Sequence, residues 1–192
     1  MPASTELTRQ YRVARQLASM HAVLHDRYRA RSRRSEVVLL VSSVLIACMS
    51  FASEAMLADV GISPQAGRRC VALLSVAALV ASLCLLVLDW SGSAVRHALA
   101  RDAWSDLSIR FRILRTGRRT WQPDHANELA TRYGEVSKTT VGVPEAQFIA
   151  LKRRHLQKVE LSKFSDENPW CPHLVLRLVL AVRGVRKLLT KN

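Results

Sequence analysis

Residues 37–53 read VVLLVSSVLIACMSFAS and residues 70–88 read CVALLSVAALVASLCLLVL, and neither stretch contains an Asp, Glu, Lys, Arg or His. At about 1.5 Å of helical rise per residue the runs cover roughly 25 and 29 Å, close to the ~30 Å hydrocarbon thickness of a bilayer. The first run gains length by continuing through Ala55, Met56 and Leu57, with Glu54 reaching the headgroups. Two such runs in succession, with charges heaped just outside them, predict two membrane spans rather than the core helices of a soluble fold.

The basic residues set the expected topology. Residues 1–36 carry eight Arg, residues 54–69 carry only Arg68 and Arg69, and the chain after Trp90 carries nineteen Lys plus Arg. Cytoplasmic flanks hold the excess of Lys and Arg, so both termini are expected in the cytoplasm and the short linker outside. The cluster Arg27, Arg29, Arg31, Arg33 and Arg34 stands just ahead of the first run, placed to set orientation and to grip anionic lipid headgroups. Thirty-six mostly polar residues precede that run and no small-residue cleavage pattern follows it, so the run reads as a retained anchor rather than a cleaved signal. The expected organisation is a cytoplasmic amphipathic helix over 1–36, transmembrane helix 1 over 37–53, an outer linker over 54–69, transmembrane helix 2 over 70–90 and a cytoplasmic helical region over 91–192.

The formal charge of +14 in 192 residues suits a membrane surface as well as a nucleic acid. The positive-inside bias alone demands such an excess, so nucleic acid is not among the expected partners and an anionic bilayer is. Arg outnumbers Lys 23 to 6 in a chain rich in Ala, Leu and Val, a composition that leans toward a GC-rich bacterial genome. Cys48 and Cys84 lie inside the runs, Cys70 opens the second, and Cys171 stands between Trp170 and Pro172. With no C-x-x-C spacing they predict reduced thiols rather than a disulfide framework or a zinc site.

Outside the runs the pattern is helical. No Gly or Pro occurs between Pro2 and Gly61, so a single helix of some fifty residues is expected there. Val13, Leu17, Met20 and Leu24 repeat at spacings of four, three and four, with Tyr28 on the same side. After the second run Ala100, Trp104, Leu107, Phe111 and Leu114 repeat at four, three, four and three. One helix enters the bilayer and the other leaves it, so the two seams are expected to run antiparallel and bury one another. Gly117 with Arg118 and Arg119 ends the second of these, and Pro123 opens a helix carrying Ala126, Leu129, Tyr133 and Val136. Pro144 and Glu145 open another, to about Phe164, with Phe148, Leu151, His155 and Val159 at helical spacing. Ser165 to Pro172 reads as a turn. The segment 173–189 is too short and too often interrupted by Arg to span, and reads as a basic amphipathic helix on the interface or on the bundle. The fold class is therefore an all-α membrane protein, a transmembrane hairpin extended by cytoplasmic amphipathic helices into a small bundle.

Chemistry is sparse. His21 and His25 stand one helical turn apart with Asp26 beside them, a spacing that can place two imidazoles on one metal, yet their positions relative to Tyr11, Ala14, Ala18 and Tyr28 fit a packed helix face better. His97 and His155 read as bundle residues. No G-x-S-x-G, H-E-x-x-H, Walker A or G-x-G-x-x-G motif occurs, so neither catalysis nor a cofactor is expected. Small residues form one side of each run: Ser43, Ala47 and Ser50 in the first, and Ser75, Ala78 and Ser82 in the second, joined by Ala77 and Ala81. Such faces let helices approach closely, either only to pack the two runs of one chain together or also to assemble several chains into an oligomer. With no charge inside either run, a pore would be poorly selective, lined by serines and small apolar groups, and dependent on oligomer formation.

The Arg-rich amphipathic helix, the two runs with their short linker, the long helix opening Ala94-Val95-Arg96-His97-Ala98 and continuing to Trp104 and Leu107, and the late Val143-Pro144-Glu145-Ala146 helix start together resemble the SLATT family over about residues 7–165. That family comprises two-transmembrane effector domains associated with nucleotide-synthesising and nucleotide-sensing partners in bacterial conflict systems. The resemblance implies an effector of the bacterial inner membrane that oligomerises on a signal and permeabilises the membrane, halting phage spread. It implies no catalytic residue. A nucleotide-sensing domain is not recognisable in this chain, so the trigger is expected from a separately encoded sensor or nucleotide-signalling protein. Two other readings stand beside it: a membrane-anchored scaffold whose cytoplasmic helices recruit a partner without pore activity, and a basic membrane or nucleic-acid binder.

Overall fold

The structure, a computed structural model, describes residues 2–51, 61, 63–116 and 123–170. The described residues are all-α. Helix α1 spans Pro2–Phe51, α2 Pro64–Leu88, α3 Trp90–Arg115, α4 Pro123–Thr139 and α5 Glu145–Glu167. The unbroken fifty residues of α1 follow from the absence of any Gly or Pro between Pro2 and Gly61. Helix α2 begins six residues before the uncharged run, where the Ser63 hydroxyl accepts from the Ala66 N–H and Pro64 occupies the first turn. The last residues of the segment read as a linker are therefore helical. Helix α5 runs three residues past Phe164. The proposed helix over 173–189, Cys171, Arg118 and Arg119 lie outside the described residues.

Two compact units divide the chain, Met1–His21 with Arg101–Asn192, and Ala22–Ala100. The first is a four-helix bundle made by the start of α1, most of α3, α4 and α5. Its core is Ala14, Met20, Trp104, Leu107, Phe111, Leu114, Leu129 and Leu151, with His21 and His155 buried among them. Every α3 position of the expected seam from Trp104 to Leu114 is buried, while on α1 Val13 and Leu17 are half-buried and Ala14 takes the deeper position. Trp104 meets Tyr133 of α4 edge-on at 5.3 Å, Asp106 holds Arg110 at 2.9 Å with Arg132 of α4 at 3.9 Å, and the Arg115 guanidinium lies 4.6 Å over the Tyr11 ring. The ion pairs among these are half-exposed, so apolar burial rather than ion pairing holds the bundle.

The second unit is made by the rest of α1, α2 and the first turns of α3. Leu24, Ala94, His97 and Ala100 are buried in it. Along the first apolar run the inward positions are Ser35, Leu39, Ser42, Ile46 and Met49, at spacings of four, three, four and three. On α2 Val71, Ala78 and Leu85 are half-buried, one heptad apart. The remaining apolar side chains point outward: Val37, Leu40, Leu45 and Phe51 on α1, and Leu73, Leu79, Leu83, Leu86 and Val87 on α2, are each more than half exposed.

Helices α2 and α3 meet at Asp89, whose backbone is left-handed with φ 39°. Asp is among the few residues that adopt this conformation readily. Its N–H closes α2 on the Leu85 carbonyl at 3.2 Å, and its carboxylate caps α3 by accepting from the Gly92 N–H at 2.9 Å. A Cβ at Gly92 would run into that carboxylate, which is why the third residue of α3 is a glycine.

Truncating Phe111, which is 2% exposed, leaves a cavity that the bundle cannot fill. Phe111→Ala should cost about 3–5 kcal/mol of bundle stability by urea unfolding of the purified protein, followed by circular dichroism. Leu86→Ala, on an exposed apolar surface, should change it by less than about 0.5 kcal/mol.

Candidate functional site: the basic end of the apolar hairpin

The arginine cluster of α1, His25, Tyr28, Asp89, Arg96 and His97 lie in the second unit where the apolar runs give way to charge. Arg27, Arg29, Arg31, Arg33 and Arg34 are all exposed on α1. At about 100° per residue, Arg27, Arg31 and Arg34 lie on one flank of the buried seam, and Arg29 and Arg33 on the other. Ser32 donates to Glu36 at 2.6 Å, which holds that carboxylate on its own helix. On the facing element Arg96 pairs with Asp89 at 3.2 Å and donates to the Ser93 hydroxyl at 3.0 Å, so Asp89 caps α3 and fixes a guanidinium at once.

Beneath this collar lie His25, Tyr28 and His97. A carbonyl oxygen only accepts, so His25 Nδ1 carries the proton it shares with the Ala94 carbonyl at 2.9 Å, and this bond ties α1 to α3. The Tyr28 and His97 rings stack at 5.4 Å, 11° from parallel. Burial, then Arg96, then His25 hold the His97 pKa below its usual 6.5. In the four-helix unit burial, Arg15 of α1 and Lys158 of α5 lower His155 in the same way, and among the described residues its buried Nδ1 has no hydrogen-bond partner. Of the two imidazoles one turn apart on α1, His21 is buried and His25 is committed to Ala94, while Asp26 is exposed. No three His, Cys, Asp or Glu side chains converge on a common point among the described residues.

The small-residue positions are placed differently from the hairpin seam. Ser43, Ala47, Ser50, Ser75 and Ser82 are exposed, and Ala78 alone is half-buried. The hairpin closes instead through the neighbouring positions Leu39, Ser42, Ile46 and Met49. Ser42, Ser43, Ser50 and Ser75 donate back to the carbonyls of Val38, Leu39, Ile46 and Val71 at 2.7–2.8 Å, so each hydroxyl is satisfied within its own helix. Such serines present little unmet polarity to an apolar environment. Cys48, Cys70 and Cys84 are free and exposed.

Sequence reasoning missed the Asp89 to Gly92 cap, although an Asp directly after an apolar run and three residues before a Gly is a helix-start signal. It also missed the His25 to Ala94 bond and the groove beside Trp90 described below, which no local pattern marks. Comparison with family models, with curated proteins and with solved structures returns no match to this chain.

The two lowered imidazoles predict a pH dependence. Below their usual pKa of 6.5 the unfolded chain binds protons that the folded chain refuses. Their contribution to stability is therefore full above about pH 6.5 and is lost as the pH falls through the lowered native values. The melting temperature should drop on acidification through this window, and His97→Phe with His155→Leu should flatten the drop, His155→Leu without loss of stability at neutral pH. A wild-type melting temperature that rises on acidification would contradict the assignment.

Proposed function

We propose that this chain is a two-span protein of the bacterial inner membrane, with both termini cytoplasmic, that assembles into an oligomer and permeabilises the membrane on a signal from a partner protein. The observation that carries the reading is the outward apolar surface of residues 37–51 and 70–88, where Leu79 is 62%, Leu86 79% and Phe51 89% exposed. Helices long and apolar enough to cross a membrane are buried when they form a soluble core, and no residue of these two apolar windows is buried. Water is a poor cover for such a surface. Lipid favours each Leu, Ile, Val or Phe by about 0.3–0.6 kcal/mol, and no charge costing about 2.5–3.5 kcal/mol interrupts either run.

The assembly step is supported by the exposed, internally satisfied serines and small residues. They leave Ser43, Ala47 and Ser50 free of the hairpin seam, on a face where a second copy can approach. The four-helix unit supplies a separate surface for the partner that delivers the signal. The resemblance to the SLATT family supplies the biological setting, an anti-phage or conflict system. An anchored scaffold has the same hairpin but needs no particular outward face.

Membrane potential in bacteria carrying the chain under inducible control separates these readings. Depolarisation should precede growth arrest, in the presence of neighbouring genes if they supply the trigger. Ala47→Leu and Ser82→Leu should delay or abolish it without lowering the membrane-inserted fraction. Undiminished depolarisation in both variants would contradict a span-built assembly, and activity surviving exchange of both runs for an unrelated hairpin would favour the scaffold.

A further inference from the structure

Within the second unit a groove of about 420 Å³ runs between the start of the first apolar run and the end of the second. It exists because small side chains face one another there: Ser35 on α1, and Ala81 and Cys84 on α2. The Ser35 hydroxyl donates to the Ser32 carbonyl at 2.7 Å, so this wall presents no unmet polarity and the floor is apolar. Val38, Leu39, Leu85 and Leu88 supply its apolar lining together with Trp90, and the exposed Arg31 and Arg34 line its mouth at the charged end of the run. Along α1 it extends from residue 31 to 39, about 12 Å at the helical rise. Its volume lies within the roughly 300–1,000 Å³ range of small-ligand sites.

The charge at the mouth selects the occupant. Among the described residues neither Arg31 nor Arg34 is held by a carboxylate, whereas Arg96 is neutralised by Asp89. Two unneutralised guanidiniums one turn apart present forked donors suited to a phosphate diester. An anion with a long apolar tail meets both demands: phosphate at the arginines, tail along Val38, Leu85 and Leu88. A soluble anion leaves the apolar floor uncovered, and an uncharged acyl chain leaves the arginines without a counter-ion. Trp90 sits at the level where an indole prefers the boundary between headgroup and tail.

We propose that this groove is a binding site for one anionic phospholipid, held by Arg31 and Arg34 with an acyl chain packed beside Trp90. The proposal rests on the membrane reading above. It assigns Arg31 and Arg34 a specific ligand, whereas Arg29 and Arg33, on the opposite flank of α1, contribute only general attraction to an anionic surface.

The test is tryptophan quenching in the full chain reconstituted into phosphatidylcholine vesicles, with bromine-labelled acyl chains carried either by phosphatidylcholine or by a small fraction of phosphatidylglycerol. The signal of interest is the part lost in Trp90→Phe. At about fivefold per guanidinium, brominated phosphatidylglycerol should quench Trp90 between about five and 25 times more effectively per molecule than brominated phosphatidylcholine. Arg31→Gln with Arg34→Gln should abolish this preference, and Arg29→Gln with Arg33→Gln, the same loss of charge, should retain it. No preference, or equal loss in both double variants, would overturn the site while leaving the membrane reading intact, because brominated phosphatidylcholine would still quench. Absence of quenching by either lipid would overturn the membrane reading and the site together.

Discussion

An apolar helix surface must be covered, and in the second unit the chain does not cover its own. Two helices have only one mutual face, so the hairpin buries Leu39, Ile46, Met49 and Leu85 at least in part and leaves Leu79, Leu83, Leu86 and Val87 outward. The other features of this unit make sense as adjustments to that fact. Ser42, Ser43, Ser50 and Ser75 satisfy their hydroxyls on their own helices, the arginine cluster ends one turn before the first run, and Asp89 stands immediately after the second.

The four-helix unit follows different rules. Its helices carry narrow apolar stripes between charged faces, and burial of Trp104, Leu107, Phe111 and Leu151 accounts for its cohesion, with surface ion pairs contributing little. Buried imidazoles in both units make stability sensitive to mild acid. Helix α1 contributes residues to both units.

Much of this was legible in the sequence where contrast exists between apolar and polar residues. The α3 stripe from Trp104 to Leu114 is set against Asp102, Asp106, Arg110 and Arg112, so its period identifies the buried face. Breaks at Pro123 and Pro144 were equally plain. Inside the apolar runs that contrast vanishes. Every face of VVLLVSSVLIACMS is apolar or small, and one step around the helix separates the inward Ser42 and Ile46 from the outward Ser43 and Ala47. Side-chain size alone does not tell these neighbouring positions apart. The groove beside Trp90 and the His25 to Ala94 bond join segments about fifty to seventy residues apart in the sequence, beyond the reach of any local period.

The most direct test of the central claim is the environment of the outward surface. Single spin labels at Leu79 and Leu86, in a cysteine-free chain within native-lipid vesicles, can be compared with labels at Asp102 and Ser162 for relaxation by oxygen and by a water-soluble nickel complex. Lipid cover predicts strong oxygen and weak nickel access at Leu79 and Leu86, with the opposite at the two polar positions. Shielding from both reagents at Leu79 and Leu86 would mean that protein covers them, and free access of nickel would mean that they stand in water; either result would contradict the account.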